Sequence, residues 1–187
     1  MLKTLVVIAL TLLPISSAAS LSDAQVIAKA TPAGFKLRDT KIGDVNLDGR
    51  PDKLVVLERS SQASEMEKRP LLIFTRGTDK MLRLVARNDN AVLCRGCGGV
   101  MGDPYQGITI KNGFFSIEHY GGSRERWSEV ITFRFEGKDA RFYLWKYGGE
   151  SFNSLSANPD KPLESWLKTS KQFGKLRFED FDPEKIR

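Results

Sequence analysis

The chain has 187 residues, of which 41% are hydrophobic and 28% are charged. This balance is typical of a folded domain with a core and excludes an intrinsically disordered chain. The formal net charge is +6, but the basic residues form neither a run nor a helical stripe, so we expect no nucleic-acid partner. The charge is typical of a solvated basic surface, with weak attraction to polyanions as the alternative.

Residues 1–19 have the pattern of a secretory signal peptide. Lys3 supplies the positive charge, Leu5–Leu13 is the apolar segment, and Ser17–Ala19 is a small-residue cleavage site. The apolar segment is shorter than the about 20 residues that a membrane-spanning helix needs, so we expect no membrane anchor. The mature protein, periplasmic or secreted, would then be one domain over residues 20–187.

The first element predicted after this leader is a short N-terminal helix. Ser22 has the position of its N-cap, apolar residues between Ala24 and Ala30 follow, and Thr31–Gly34 ends it.

Beyond the helix, apolar residues recur mostly with a period of two, which is the pattern of β-strands. Asn112-Gly113 is typical of a two-residue hairpin turn, and Gly137-Lys138 predicts another turn. These signals predict an all-β fold, a mainly antiparallel sandwich or rolled sheet. The strand segments are Leu54–Leu57, Leu71–Phe74, Leu82–Ala86, Ile108–Ile110, Phe115–His119, Ile131–Phe135 and Phe142–Leu144.

Two segments lack the strand pattern. Ser60–Lys68 is polar and is predicted to be a flexible loop, and Gly148–Pro162, rich in Gly, Ser, Asn and Pro, a long surface loop. Near the end of the chain, we expect one strand around Leu176 and Phe178.

The two cysteines, Cys94 and Cys97, have C-x-x-C spacing. In the oxidising compartment expected of an exported protein, this spacing predicts a short structural disulfide. A redox-active pair is the alternative, but no helical pattern follows the cysteines to lower a thiol pKa. Zinc would need about four ligands, which two cysteines and the only histidine, His119, do not obviously supply.

The strongest chemical motif is Asp44–Asp52, which has the pattern D-x-N-x-D-G-x-x-D. Calcium takes about six to eight oxygen ligands. The alternating positions place their side chains inside a tight loop, and Gly49 permits the sharp turn. We therefore predict a calcium site, with calcium as the expected cofactor. Its ligands are the side chains of Asp44, Asn46, Asp48 and Asp52 and the main-chain carbonyl of Arg50.

This loop differs from that of an EF-hand. An EF-hand has Glu at the twelfth position, where this sequence has Val55 within the apolar run Leu54–Leu57. We therefore expect the loop to lead into a strand, and calcium to stabilise the fold rather than to act as a regulatory switch. An acidic β-turn without an ion is the alternative.

The segment Gly43–Leu57 resembles the calcium loops of the FG-GAP/VCBS repeat group. Four further segments are similar to a family of small exported bacterial proteins with one such loop. Some members of that family resemble periplasmic lysozyme inhibitors and serve as immunity proteins against peptidoglycan-degrading toxins. The four segments are Arg69–Ile73, Cys97–Tyr105, His119–Ser123 and Phe173–Lys175.

A candidate partner-binding segment is Tyr120–Trp127, which combines glycines, a hydroxyl, two arginines and aromatic residues. Arg, Tyr and Trp are favoured at binding hot spots. An inhibitor could present Tyr120, Ser123 or Arg124 to the catalytic carboxylates of a glycosidase, with Trp127 on the same surface. The alternative is an ordinary long hairpin with Trp127 in the core.

We therefore expect a periplasmic calcium-binding protein that acts by binding, as an inhibitor or immunity protein against a peptidoglycan hydrolase. The alternative is a non-catalytic envelope-binding or structural module. The sequence gives little support for a hydrolase. No nucleophile-elbow motif accompanies His119, and no local motif indicates paired catalytic carboxylates. We do not expect an enzyme, and the sequence has no signal for an oligomeric state.

Overall fold

The computed structural model describes residues 21–60, 65–159 and 161–186, and antiparallel strands dominate them. The predicted signal peptide lies outside these residues. The first sheet has the order β1 (Phe35–Gly43), β2 (Asp52–Arg59), β3 (Arg69–Arg76) and β4 (Leu82–Val92). The second has the order β5 (Tyr105–Lys111), β6 (Phe114–Gly122), β7 (Glu125–Glu136), β8 (Arg141–Asn153) and β9 (Glu164–Thr169). The predicted all-β class is confirmed.

The predicted N-terminal helix is confirmed as α1 (Asp23–Ala30), and a capping box fixes its start. The main-chain N–H of Gln25 donates to Ser22 Oγ at 3.3 Å, and Ser22 N–H donates to Gln25 Oε1 at 2.8 Å. Two four-residue helices follow later, α2 (Ser170–Phe173) and α3 (Pro183–Ile186). Within the described residues, no helix is long and apolar enough to cross a membrane.

The main core lies between the two sheets, where the inward residues of alternating strands meet. Leu54 and Ile73 of the first sheet are fully buried, as are Phe115 and Phe133 of the second. Burial of one such side chain contributes about 1.5–3 kcal/mol. The outer face of the first sheet is also covered, because α1 packs on it. Two covered faces explain why β2 and β3 contain continuous apolar runs.

The C-terminal segment completes this core. Phe178, in a short 3₁₀ turn (Phe178–Asp180), and Phe181 are fully buried and contact the ring of Phe133 edge-on. The buried Asn88 of β4 holds the segment in place, because its Nδ2 donates to the carbonyls of Phe178 at 2.6 Å and of Phe181 at 2.8 Å. The prediction of a strand around Leu176 and Phe178 is wrong, since the last strand is β9.

The predicted surface loop Gly148–Pro162 is also wrong in its first part, because β8 continues to Asn153. Gly148 and Gly149 lie in this strand and are paired with β9. A Cβ at Gly149 would lie 2.6 Å from the carbonyl oxygen of Ser128. The glycines therefore permit close strand packing here, and their presence in the sequence does not indicate a loop.

The predicted hairpin turn at Asn112-Gly113 is confirmed, with φ of 52° and 74° at its two residues. It lies at the same end of the sandwich as residues 44–52, because the side chain of Leu47 is next to Gly113. We call this the aspartate-loop end. The opposite end contains the connection from β4 to β5, residues 93–104, and the turn between β6 and β7. We call it the disulfide end.

Residues 61–64 lie outside the described part of the chain. The predicted loop Ser60–Lys68 is therefore described only at its flanks, where β2 ends at Arg59 and β3 begins at Arg69.

Candidate functional site

The aspartate loop (Asp44–Asp52) connects β1 to β2, so it leads into a strand as predicted. The Asp44 carboxylate accepts hydrogen bonds from the main-chain N–H of Asp48 at 3.1 Å and of Gly49 at 2.8 Å. Leu47 and Gly49 have φ of 61° and 79°, in the left-handed region. In tight turns, Asp and Asn side chains often accept hydrogen bonds from main-chain N–H groups that follow them, and these hydrogen bonds fold this loop inward.

The side chains at the alternate positions of the loop contact one another. The N–H of Asp48 donates to Asn46 Oδ1 at 3.2 Å, and the N–H of Arg50 donates to Asp48 Oδ1 at 2.9 Å. The other carboxylate oxygen of Asp48 accepts from the Asn46 amide at 2.8 Å and from the Arg50 guanidinium at 2.6 Å. Arg50 thus supplies a positive charge to the loop from within it.

Asp52 closes the loop and is fully buried. Its carboxylate accepts from the N–H of Val45 at 3.0 Å and from the N–H of Arg76 at 2.9 Å. Burial raises the pKa of Asp52, and the nearby carboxylates of Asp48 and Asp44 raise it further against the effect of the two hydrogen bonds. The loop therefore gathers negative charge that a cation would compensate.

The donor set of this loop suits calcium chemically, because it consists of carboxylate, amide and carbonyl oxygens. The residues that would hold the ion are the five predicted ones, and the Arg50 guanidinium now at Asp48 would compete with it. In the described ranges, no group of three or more His, Cys, Asp and Glu side chains is arranged to hold a metal ion. The calcium site stays a prediction based on the pattern and on the donor chemistry.

Cys94 and Cys97 form the predicted disulfide, with an S–S distance of 2.02 Å. The disulfide closes a turn in the β4–β5 connection, in which the N–H of Cys97 donates to the carbonyl of Cys94 at 3.2 Å. A three-residue 3₁₀ turn follows (Gly99–Met101), so no α-helix begins at the cysteines. The helix N-terminus typical of redox-active cysteine pairs is therefore absent from this described segment.

The candidate partner-binding segment Tyr120–Trp127 is the end of the β6–β7 hairpin, in which strand pairing continues up to a tight turn. Strand pairing between β6 and β7 continues to Gly122 and Arg126, so the turn consists of Ser123 and Arg124, which are both exposed. The half-buried Tyr120 lies on β6, and its hydroxyl accepts from the Arg126 guanidinium at 3.3 Å. Trp127 lies on β7, with its ring against Gly121.

Two neighbouring segments brace this turn. The N–H of Gly122 donates to the carbonyl of Gly98 in the disulfide-closed connection at 2.9 Å, and the N–H of Ser154 donates to the carbonyl of Arg124 at 3.0 Å. In the chain, an exposed apolar residue follows each brace: Val100, 85% exposed, comes after Gly98, and Leu155, 73% exposed, comes after Ser154. The four exposed residues Val100, Ser123, Arg124 and Leu155 form what we call the tip surface.

A cleft of about 1010 Å³ opens at the disulfide end, between the last residues of β4 and the inner face of β7, β8 and β9. Two tryptophans, Trp127 and Trp166, line it. The cleft was not predicted from the sequence, because its walls come from segments far apart in the chain. Its acidic side chains are Asp89, Glu129, Glu164, Asp182 and Glu184, and its basic side chains are Lys68 and Lys168. The Glu150 side chain is on the opposite face of β8, where the Ser165 hydroxyl donates to it at 3.5 Å.

Glu129 lies in the cleft wall and is only 3% exposed. The Tyr147 hydroxyl donates to its Oε2 at 2.7 Å, and His119 Nδ1 faces its Oε1 at 3.5 Å. The N–H of Leu93 donates to His119 Nε2 at 3.3 Å, so Nδ1 is the ring nitrogen that faces Glu129. The sequence contains one signal of this site: Glu129 interrupts the inward-facing positions of β7.

A second buried ionic group joins the sheets at the same end. Arg69 is 1% exposed, and its guanidinium donates to both carboxylate oxygens of Asp103, at 2.7 and 2.8 Å. Burial opposes the ionisation of Asp103, but the hydrogen bonds from Arg69 and from the N–H of Tyr105, with the positive charges of Arg69 and Arg38, outweigh it. The pKa of Asp103 therefore lies below its usual value. This pair fixes the β4–β5 connection to β3.

The fold and site together define a two-sheet, all-β protein with an aspartate loop at one end and an acidic cleft beside a braced turn at the other. No family model, no curated protein and no solved structure matches this chain. The resemblance to exported proteins with a single calcium loop therefore remains a prediction from the sequence.

Proposed function

We propose that this is an exported binding protein without catalytic activity, which inhibits a peptidoglycan hydrolase in the manner of an immunity protein. The tip surface is the contact region of this proposal. The observation that supports it most directly is the bracing of an exposed turn, through Gly122 and Arg124, by two neighbouring segments. A surface that is ordered before binding loses less conformational entropy on association, so its contacts yield more affinity.

The chemistry of the tip surface suits a glycosidase as the partner. Arg124 is exposed at the point of the turn, and arginine is a preferred hot-spot residue. Glycosidases hold a pair of carboxylates across the scissile bond, which a guanidinium can engage with paired hydrogen bonds. The exposed Val100 and Leu155 on either side would exclude water from that contact.

Calcium has a separate role in this proposal. The aspartate loop lies at the opposite end of the sandwich from the tip surface, so the ion would stabilise the fold without contacting the partner. A ligand that binds the folded state alone stabilises it by mass action, by about 2.7 kcal/mol at one hundred times its dissociation constant. The Arg76 N–H bonded to Asp52 would transmit this order to β3.

The test is titration of residues 20–187 against lysozyme-type hydrolases of several structural classes, in calcium and in chelator. We expect stoichiometric loss of activity for one class. Arg124→Glu should weaken that inhibition by about tenfold or more. Lys138→Glu is the matched control, because Lys138 is exposed in the turn between β7 and β8 at the aspartate-loop end, and it should leave inhibition unchanged.

Three outcomes would overturn the proposal. Sedimentation of the protein with isolated cell wall, without inhibition of any hydrolase, would favour the envelope-binding module. Turnover of peptidoglycan by the protein itself would favour an enzyme. Equal loss of inhibition in Arg124→Glu and Lys138→Glu would show that net charge, and not the tip surface, determines the interaction.

A further inference from the structure

The charge of the cleft is opposite to that of the whole chain. The chain has a formal net charge of +6, yet five carboxylates and only two ammonium groups line the cleft. The two lysines have other acceptors: Lys68 donates to Asn90 Oδ1 at 2.6 Å, and Lys168 donates to the carbonyl of Ile186. The cleft therefore has more carboxylates than ammonium groups, and each of its two ammonium groups already donates to a neighbouring oxygen.

The cleft carboxylates are only partly compensated by neighbouring cations. Asp89 pairs with Arg87 at 2.7 Å and Asp182 with Lys185 at 3.6 Å. Among the described residues, no ion pair reaches the rim carboxylates, which are Glu164 and Glu184. A concave site with carboxylates on several walls produces a negative potential that attracts cations.

Two tryptophans are held in this cavity by neighbouring glycines. A Cβ at Gly121 would lie 2.6 Å from the Trp127 ring, and a Cβ at Gly149 would lie 3.0 Å from the Trp166 ring. Trp166 also contacts the Tyr147 ring edge-on, with 4.7 Å between ring centroids. These contacts fix both indoles, and an indole face attracts ammonium and guanidinium groups.

Glu129 lies between the two tryptophans in the sheet. In strand register, Glu129 is opposite Gly149, which is in turn opposite Trp166, and Trp127 precedes Glu129 by two residues on the same face of β7. Because the Tyr147 hydroxyl and His119 Nδ1 both face its carboxylate, the orientation of Glu129 is set by neighbouring groups. An acidic group fixed between aromatic faces is suited to a cationic ligand.

From these features we propose that the cleft is a binding site for an organic polycation, in which several ammonium or guanidinium groups are spaced along a flexible chain. Carboxylates in the floor and at the rim match several separated positive charges better than one. Neutral sugars would not require this excess of charge, and anions would be repelled by it. This inference goes beyond the proposed inhibitor function and does not depend on it.

The test uses calorimetry and tryptophan fluorescence on residues 20–187, with spermidine and a tetralysine peptide as probes. We expect binding to at least one probe, weakening with salt, and none to triacetylated spermidine or tetra-acetyl-lysine. Spermidine alone binding would indicate a free polyamine as the ligand; the peptide alone binding would indicate lysine side chains of a protein. Absence of binding by both probes at millimolar concentration would overturn the proposal.

Matched variants locate the binding. Trp166→Leu should weaken binding by about tenfold, whereas Trp145→Leu should not change it. Trp145 is the matched control, since it is 37% exposed against 38% for Trp166 and lies in β8 of the same sheet, stacked on Arg134. Equal effects of the two substitutions would contradict the assigned cleft.

Two variants that each remove one carboxylate complete the test. Glu164→Gln removes one rim charge and should weaken binding of the probe, while Glu118→Gln, at an exposed carboxylate of β6, should not. If neither Glu164→Gln nor Trp166→Leu changes the affinity for the probe, the proposal is overturned. Because both positions are exposed, neither variant depends on preserving a buried group. Failure of hydrolase inhibition would leave these results unaffected.

Discussion

The Arg69–Asp103 pair shows how much the stability of a buried charge depends on the group that compensates it. Arg69 is almost fully buried, and Asp103 supplies both oxygens for its guanidinium. Removing one partner of a buried pair costs about 3–5 kcal/mol when the other charge is left uncompensated. Here Glu58 Oε2, at 3.4 Å from the guanidinium, would still compensate part of the Arg69 charge, so the cost is smaller. Sequence reasoning did not identify this pair, because its members are 34 residues apart and neither belongs to a local motif.

We predict that Asp103→Asn lowers the free energy of unfolding by about 1–3 kcal/mol at neutral pH, measured by urea denaturation. Because the folded-state pKa of Asp103 is lowered, its stabilisation is complete above the unfolded pKa of about 3.9 and is lost as the pH falls through the folded value. Acidification should therefore lower the free energy of unfolding of the wild-type protein more than that of Asp103→Asn.

The matched control is Asp79→Asn. Asp79 is also paired with an arginine, Arg83, but both side chains are about half exposed. Solvent screens such a pair, so we expect a smaller loss of stability than in Asp103→Asn. Similar losses in the two variants would show that burial of Arg69 does not determine the effect.

At the scale of elements, the features that can be predicted from the sequence depend on local signals. The capping box of α1 and the Asn112-Gly113 turn each depend on residues within a few positions of one another. Gly148–Asn153 was misjudged because its glycines are required by contacts with Ser128 and Trp166, which the sequence does not place nearby. The cleft was missed for the same reason, although Glu129 among inward-facing apolar residues of β7 was a visible exception.

We predict that Gly149→Ala destabilises the protein by about 1–3 kcal/mol, because its Cβ would meet the Ser128 carbonyl oxygen and the Trp166 ring. Thermal unfolding measures this loss. Gly137→Ala is the control, since a Cβ there would meet only the ring of Phe135, at 3.9 Å. Unchanged stability in Gly149→Ala would mean that β8 and β9 can separate at low cost.

The aspartate loop gives a second prediction at this scale. Asp48→Ala should abolish the rise in melting temperature that calcium produces, because it removes a predicted ligand of the ion. Melting curves in calcium and in chelator measure this difference. Asp89→Ala removes a carboxylate from β4, outside the loop, and should retain the full calcium-dependent rise in melting temperature. A rise that persists in Asp48→Ala would remove the proposed site.

At the scale of the whole molecule, the two proposed ligand-binding features share the disulfide end, and the proposed calcium loop is at the other. The β4–β5 connection joins these features, because Gly98 accepts from Gly122 while Cys94 and Cys97 line the cleft. A ligand in the cleft could therefore alter the brace under the tip surface. Hydrolase inhibition measured with and without spermidine would detect such coupling between the two surfaces.

The contact of Asn88 with the C-terminal segment has a consequence for folding kinetics. Strands within each sheet pair with their sequence neighbours, so each sheet can form through short loop closures. The Asn88 contacts to Phe178 and Phe181, in contrast, span 90 and 93 residues. We expect the sheets to form early and this segment to dock last, so that its amides exchange with solvent sooner than those in the centre of β7.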